Sequence, residues 1–116
     1  MNNYIVLHGS FGSKNGNWFP WLKKELEERN LKVDVPQMPV GVGNQNFDNW
    51  SKEFGKLKIN ENTIIIAHSI APVFVCKYLI INNIFNCILI FILHSKSPFI
   101  FYKFCIHLTL NLFNNK

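Results

Sequence analysis

Acidic residues run out early in this chain. All seven carboxylates, Glu25, Glu27, Glu28, Asp34, Asp48, Glu53 and Glu61, precede residue 62, and residues 80–116 hold three lysines and no acid. The formal charge of +5 is therefore partly a property of an acid-free end. It does not form a basic stripe with interleaved aromatics, so no nucleic-acid partner is expected. Cysteine is scarce too. Cys76, Cys87 and Cys105 are an odd number without C-x-x-C spacing, which argues against a disulfide framework and a zinc knuckle and fits a reducing compartment. Six glycines and five prolines are too few for a collagen-like or low-complexity chain, and 48% apolar residues are too many for a disordered one. The first residues, Met-Asn-Asn-Tyr, lack the basic region and apolar run of a secretory signal. A cytoplasmic location is the expectation.

The end of the chain lacks more than acids. Gly, Ala, Val, Asp and Glu, the five residues whose codons begin with G, are absent after residue 79, whereas residues 1–79 contain 22 of them. Ordinary usage would place roughly 10 there. Of residues 80–116, 29 are Ile, Asn, Phe, Leu, Lys or Tyr, whose codons are rich in A and T. This pattern points to a reading frame lost near residues 80–95 of an AT-rich gene. The expected organisation is one partial, truncated domain over 1–93 and an atypical tail over 94–116, frame-shifted or disordered. A membrane anchor is the competing explanation. However, the apolar stretches 84–93 and 99–113 both fall short of the roughly 20 residues a spanning helix needs, and Asn82, Asn83, Lys103 and His107 interrupt them. A membrane is not an expected partner.

What is present alternates between strand and helix patterns. Tyr4-Ile5-Val6-Leu7 reads as a buried strand that stops at His8-Gly9-Ser10. Trp18, Trp21, Leu22 and Leu26 recur at helical spacing, with Pro20 in a first turn that tolerates it, and this helix should end near Asn30. A short strand over 31–35 meets Pro36. Phe47, Trp50, Phe54 and Leu57 predict a second helix after Asn46, and Thr63-Ile64-Ile65-Ile66-Ala67 is the most strand-like run. A third helix is expected over 71–79, with Pro72 in its first turn, and 87–92 can add a fourth parallel strand. Alternating strands and helices imply right-handed crossovers and an α/β fold, a three-layer sandwich around a parallel sheet.

Parallel sheets place their chemistry at the carboxyl ends of strands. Two loops qualify: His8-Gly9-Ser10-Phe11-Gly12-Ser13 and Ala67-His68-Ser69-Ile70-Ala71. The second has the form small-x-Ser-x-small between strand and helix, the requirement of a nucleophile elbow, where a strained turn leaves no room two positions either side of the serine. Ser69 is thus the candidate nucleophile. Backbone N–H groups of Ile70, Ser10 and Phe11 are candidate oxyanion donors, each worth roughly 3 kcal/mol. His8 is expected to shape the loop beneath them, with a relocated general base as its alternative role. Trp18, Trp21 and Trp50 are expected as core or pocket-wall aromatics, and Cys76 as a buried rather than reactive thiol.

His8-Gly9, Asn17-Trp18-Phe19-Pro20-Trp21-Leu22, Val35-Pro36-Gln37-Met38-Pro39, Trp50 and Ile64-Ile65-Ile66-Ala67-His68-Ser69 together resemble the α/β-hydrolase subfamily that includes the retinoblastoma-binding serine hydrolases and their bacterial relatives. The resemblance covers about two-thirds of the chain, the N-terminal half of an α/β-hydrolase fold. Ala67 and Ala71 stand where that family's G-H-S-x-G elbow has glycines. The resemblance implies a cytoplasmic serine hydrolase acting on small-molecule carboxylic esters or amides through Ser, Asp and His in that order, with no metal or cofactor. No Asp or Glu follows Ser69, and the histidines after it are His94 and His107, so the triad is incomplete by that route. A non-catalytic binding protein on the same scaffold, membrane-associated through its apolar tail, is the alternative.

Overall fold

A computed structural model of the chain describes residues 2–92. The tail over 94–116, His94, His107 and Cys105 lie outside the described residues. Seven elements follow in order: β1 (Asn3–Leu7), α1 (Phe19–Glu28), β2 (Lys32–Asp34), α2 (Phe47–Phe54), β3 (Thr63–His68), α3 (Ala71–Ile81) and β4 (Ile88–Ile92). Among the described residues, no helix is long and apolar enough to cross a membrane.

The strands form one parallel sheet in the order β2-β1-β3-β4. Leu7 pairs with Ala67 at the carboxyl end of β1 and β3, and His68 pairs with Ile92. Side chains alternate between faces, as the pleat dictates. Ile5, Leu7, Ile65, Ala67 and Leu89 pack with α2 and α3 through Trp50, Phe54, Phe74, Val75 and Leu79. Val6, Ile66 and Ile92 take the other face with Phe19, Trp18 and Leu22 of the α1 region. The result is the expected three-layer α/β sandwich.

Local chemistry explains the element ends. Asn46 caps α2 by accepting the Asn49 N–H at 2.8 Å. Pro20 and Pro72 occupy first helical turns, where the missing N–H costs nothing. Asn30 and Asn83 close α1 and α3 with positive φ. Their N–H groups reach Glu27 and Ile80, and those of Leu31 and Ile84 reach Leu26 and Leu79. One expectation fails. Trp21 is 58% exposed, and Phe19 is fully buried instead. At 100° per residue Trp18, Phe19, Leu22 and Leu26 share one stripe, whereas Trp21 falls roughly 110° from its centre.

Phe54 carries much of the larger core, with its ring against Phe74 at 5.5 Å and Tyr78 at 4.9 Å. Phe54→Ala should therefore cost about 3–5 kcal/mol in urea denaturation. Val42→Ala, at a site 97% exposed, should stay within about 0.5 kcal/mol of the parent. Similar costs at the two positions would contradict this account of the core.

Candidate active site

The chain leaves β1 toward one edge of the sheet to form β2, then returns past β1 to form β3. That reversal opens a crevice beyond the carboxyl ends of β1 and β3, where open α/β sheets bind ligands. Residues 8–13 and 69–70 are its two walls.

Ser69 follows the last residue of β3 and precedes α3 by one residue, with φ 60°. Among the described residues, five non-glycine residues have positive φ: Phe11, Asn17, Asn30, Ser69 and Asn83. Three are Asn, which tolerates this conformation. The other two, Phe11 and Ser69, both border the crevice. A left-handed serine costs of order 1–3 kcal/mol and persists only where its surroundings impose it. Here the surroundings are explicit: β3 pairs on both sides, and the Ser69 N–H donates to the Ile92 carbonyl at 3.2 Å. Ala67 and Ala71 are fully buried, so their methyl groups fit where the resembling family has hydrogen.

Gly9 faces the serine directly. A Cβ on Gly9 would stand 2.8 Å from Ser69 Cβ, 3.4 Å from Ser69 Oγ and 3.3 Å from the His68 carbonyl. Only glycine lets the two loops approach this closely. Ile70, at the N-cap of α3, and Ser10 lie on either side of this contact, both exposed. The Phe11 N–H instead donates to Gln45 Oε1. That amide, expected as an oxyanion donor, is occupied by the Gln45 side chain, which no motif singles out.

His8 is fully buried and both ring nitrogens are engaged. Nε2 accepts the Met38 N–H at 2.9 Å, which leaves Nδ1 to donate to the Gly9 carbonyl at 2.8 Å. Gln37 Nε2 lies 3.3 Å from the same Nε2. Burial holds the His8 pKa below its ordinary 6.5, with the Gly9 bond opposing more weakly. Such an imidazole is a neutral brace with no free lone pair for Ser69. His68 stacks edge-on against Trp18 and Phe19, each at 5.8 Å, on the α1 face of the sheet. Trp50 donates to the Pro39 carbonyl at 2.7 Å and meets the His8 ring at 6.0 Å, so the Pro36–x–x–Pro39 segment is tied to both. Burial pushes the Cys76 and Cys87 thiols up, so neither rivals a serine nucleophile.

Beside Ser69 a groove of about 260 Å³ opens between α2 and α3, lined by Phe47, Trp50, Ile70, Val73, Phe74 and Lys77, together with Ser10, Gln45 and Asn46. A tight strand-to-helix serine beside a glycine loop, on a parallel sheet, defines an α/β-hydrolase-like scaffold. The serine hydrolase family matches residues 4–91, and the chain belongs to that family. It is similar to YdeN of Bacillus subtilis (strain 168), a protein provisionally described as a hydrolase, with 29% identity over 76 residues. That match takes in 64% of this chain and 40% of YdeN. The crystal structure of the ydeN gene product superposes with a TM-score of 0.62 and 27% identity, covering 68% of this chain and 43% of that one. The chain thus spans about two-fifths of the relative's length.

Two outcomes follow from this geometry. His8 stays neutral in the folded chain but titrates near 6.5 once unfolded, so its contribution is complete above that pH and lost as pH falls below it. The thermal midpoint should drop on going from pH 7.5 to 5.5, and drop less in His8→Gln; equal drops would remove His8 from the account. Gly9→Ala should cost about 1–3 kcal/mol through overlap with Ser69, read by urea denaturation. A neutral result would mean that the two loops are not pressed together.

Proposed function

We propose that Ser69 is the nucleophile of a serine hydrolase site for small carboxylic esters or amides, and that the Ile70 and Ser10 N–H groups receive the oxyanion. Phe11 joins them when Gln45 releases its amide. The observation that carries this reading is the left-handed Ser69 at the junction of β3 and α3, in contact with Gly9. The finer resemblance, to the retinoblastoma-binding serine hydrolases, is supported by the segments around Trp18 and Pro36 and by the bonds that join His8, Met38, Pro39 and Trp50.

In this reading a lone pair of Ser69 Oγ forms a bond to the carbonyl carbon, and the carbonyl pair moves onto oxygen, where the amides stabilise it. Collapse expels the alcohol or amine, which takes up a proton. Water then cleaves the acyl-serine to a carboxylic acid. The Oγ proton does not go to His8, whose lone pair is spent on Met38. It passes to water. Losing the orienting acid alone costs about four orders of magnitude in a serine protease, so turnover without a base is slow.

A second reading, ligand binding without turnover, is favoured by one observation: residues 70–92 contain no Asp, Glu or His. A small fluorophosphonate separates the two. The full chain should be labelled covalently, and Ser69→Ala should lose the label while keeping its circular dichroism spectrum. Labelling that survives Ser69→Ala, or folded protein that takes no label over many hours, would overturn the nucleophile assignment in favour of binding alone.

A further inference from the structure

The groove between α2 and α3 has a composition that the serine chemistry does not require. Its walls are apolar and aromatic: Phe47 and Trp50 from α2, and Ile70, Val73 and Phe74 from the start of α3. Residues 70, 73, 74 and 77 share one helical face, so the groove runs along α3 away from the elbow. Its far end is Lys77. Among the described residues no carboxylate lines the groove and none pairs with this lysine, whose ammonium stands 4.2 Å from the centre of the Phe47 ring. The other groove-lining side chains are neutral, so among the described residues Lys77 is the single formal charge in the lining.

Seven residues of α-helix separate Ile70 from Lys77, an advance of about 10 Å at 1.5 Å per residue. An extended hydrocarbon chain covers that length in about eight C–C bonds, or about nine carbons, since each tetrahedral C–C bond of about 1.5 Å advances roughly 1.25 Å. The near end of the groove contains Ser10 and Ile70, whose amides flank the oxyanion position in the reading above. The acyl chain and the leaving group are both attached to the carbon that bears this oxygen, so a chain on that carbon reaches the groove directly from the reacting centre.

We propose that this groove is the acyl subsite and that Lys77 selects substrates whose acyl chain, about nine carbons long, ends in a carboxylate. The substrate class is a monoester or monoamide of a medium-chain dicarboxylic acid. The aromatic walls exclude water from the chain, and the ammonium over Phe47 meets the terminal anion at the groove's exposed end. This assignment rests on Ser69 being the nucleophile.

Two fluorophosphonates of equal length, one ending in a carboxylate and one in its methyl ester, test it on the full chain. With both, Ser69 Oγ forms the P–O bond, fluoride leaves with the P–F pair and the Oγ proton goes to water. The carboxylate probe should label roughly three- to fivefold faster at low salt, the size of a solvent-exposed ion pair. That ratio should approach one in about 1 M salt, where the Debye length is ~3 Å. It should also approach one in Lys77→Met and invert in Lys77→Glu. Equal rates in the parent chain, or a ratio indifferent to both substitutions, would overturn the Lys77 assignment. A short, uncharged fluorophosphonate keeps the two claims apart. If it labels Ser69 while the ratio is flat, only the groove assignment falls; if it fails to label Ser69, both fall.

Discussion

The structure depends on one local strain, the left-handed backbone at Ser69 held against Gly9. A strand running straight into a helix would bury the serine or point it along the sheet. A single residue with positive φ instead lifts the hydroxyl out at the carboxyl edge. The sheet imposes this turn because β3 is its most fully paired strand, with β1 and β4 along either side and the Ser69 N–H tied to Ile92. Strain of a few kcal/mol is affordable only where so many paired groups would have to move to relieve it. Buried alanines at 67 and 71 are compatible with that turn, which requires smallness at those positions more than it requires glycine.

The opposite wall of the crevice is held by hydrogen bonds rather than by strand pairing. His8 receives Met38 and donates to Gly9, Gln37 donates to the Met38 carbonyl and receives the Lys14 N–H, and Trp50 donates to the Pro39 carbonyl. A loop that follows β1 and a loop that follows β2 are thereby locked to each other and to α2. Protonating His8 would turn its Nε2 from acceptor to donor and set it against the Met38 N–H, which is why burial and geometry both favour the neutral ring. Residues far apart in sequence, at 8, 38, 39 and 50, converge here on a single job of positioning.

Much of the fold was legible in the chain because strand and helix signals agreed with their tertiary roles. The β-branched run at 63–66 became the central strand, Asn46 became a cap, and both prolines fell where helices begin. Ser69 stood out for the same reason, since small residues flank it between a strand and a helix pattern. Trp21 was misread because a periodic apolar pattern does not say which edge of the stripe faces inward, and Phe19, one residue away, filled the core. Gln45 and Lys77 carried no local signal at all. The first reaches Phe11 across 34 residues, and the second matters only because α2 brings Phe47 beneath it. Contacts of that kind depend on helix placement, which periodicity does not encode.

The placement of these groups separates two properties that serine hydrolases usually blur. Under the proposed function, recognition rests on the groove, the amides at Ser10 and Ile70 and the charge at Lys77, all carried by residues 10–77. Turnover under the same proposal rests on the fate of one proton, for which His8 has no vacancy. Recognition that acts equally on the ground state and the transition state changes apparent affinity without raising the chemical rate, whereas a base acts on the rate. The two therefore vary independently. If Ser69 is the nucleophile, selectivity for an acyl group is independent of what supplies the base, and adding an imidazole within reach of Ser69 Oγ should raise the rate for every accepted substrate by a common factor.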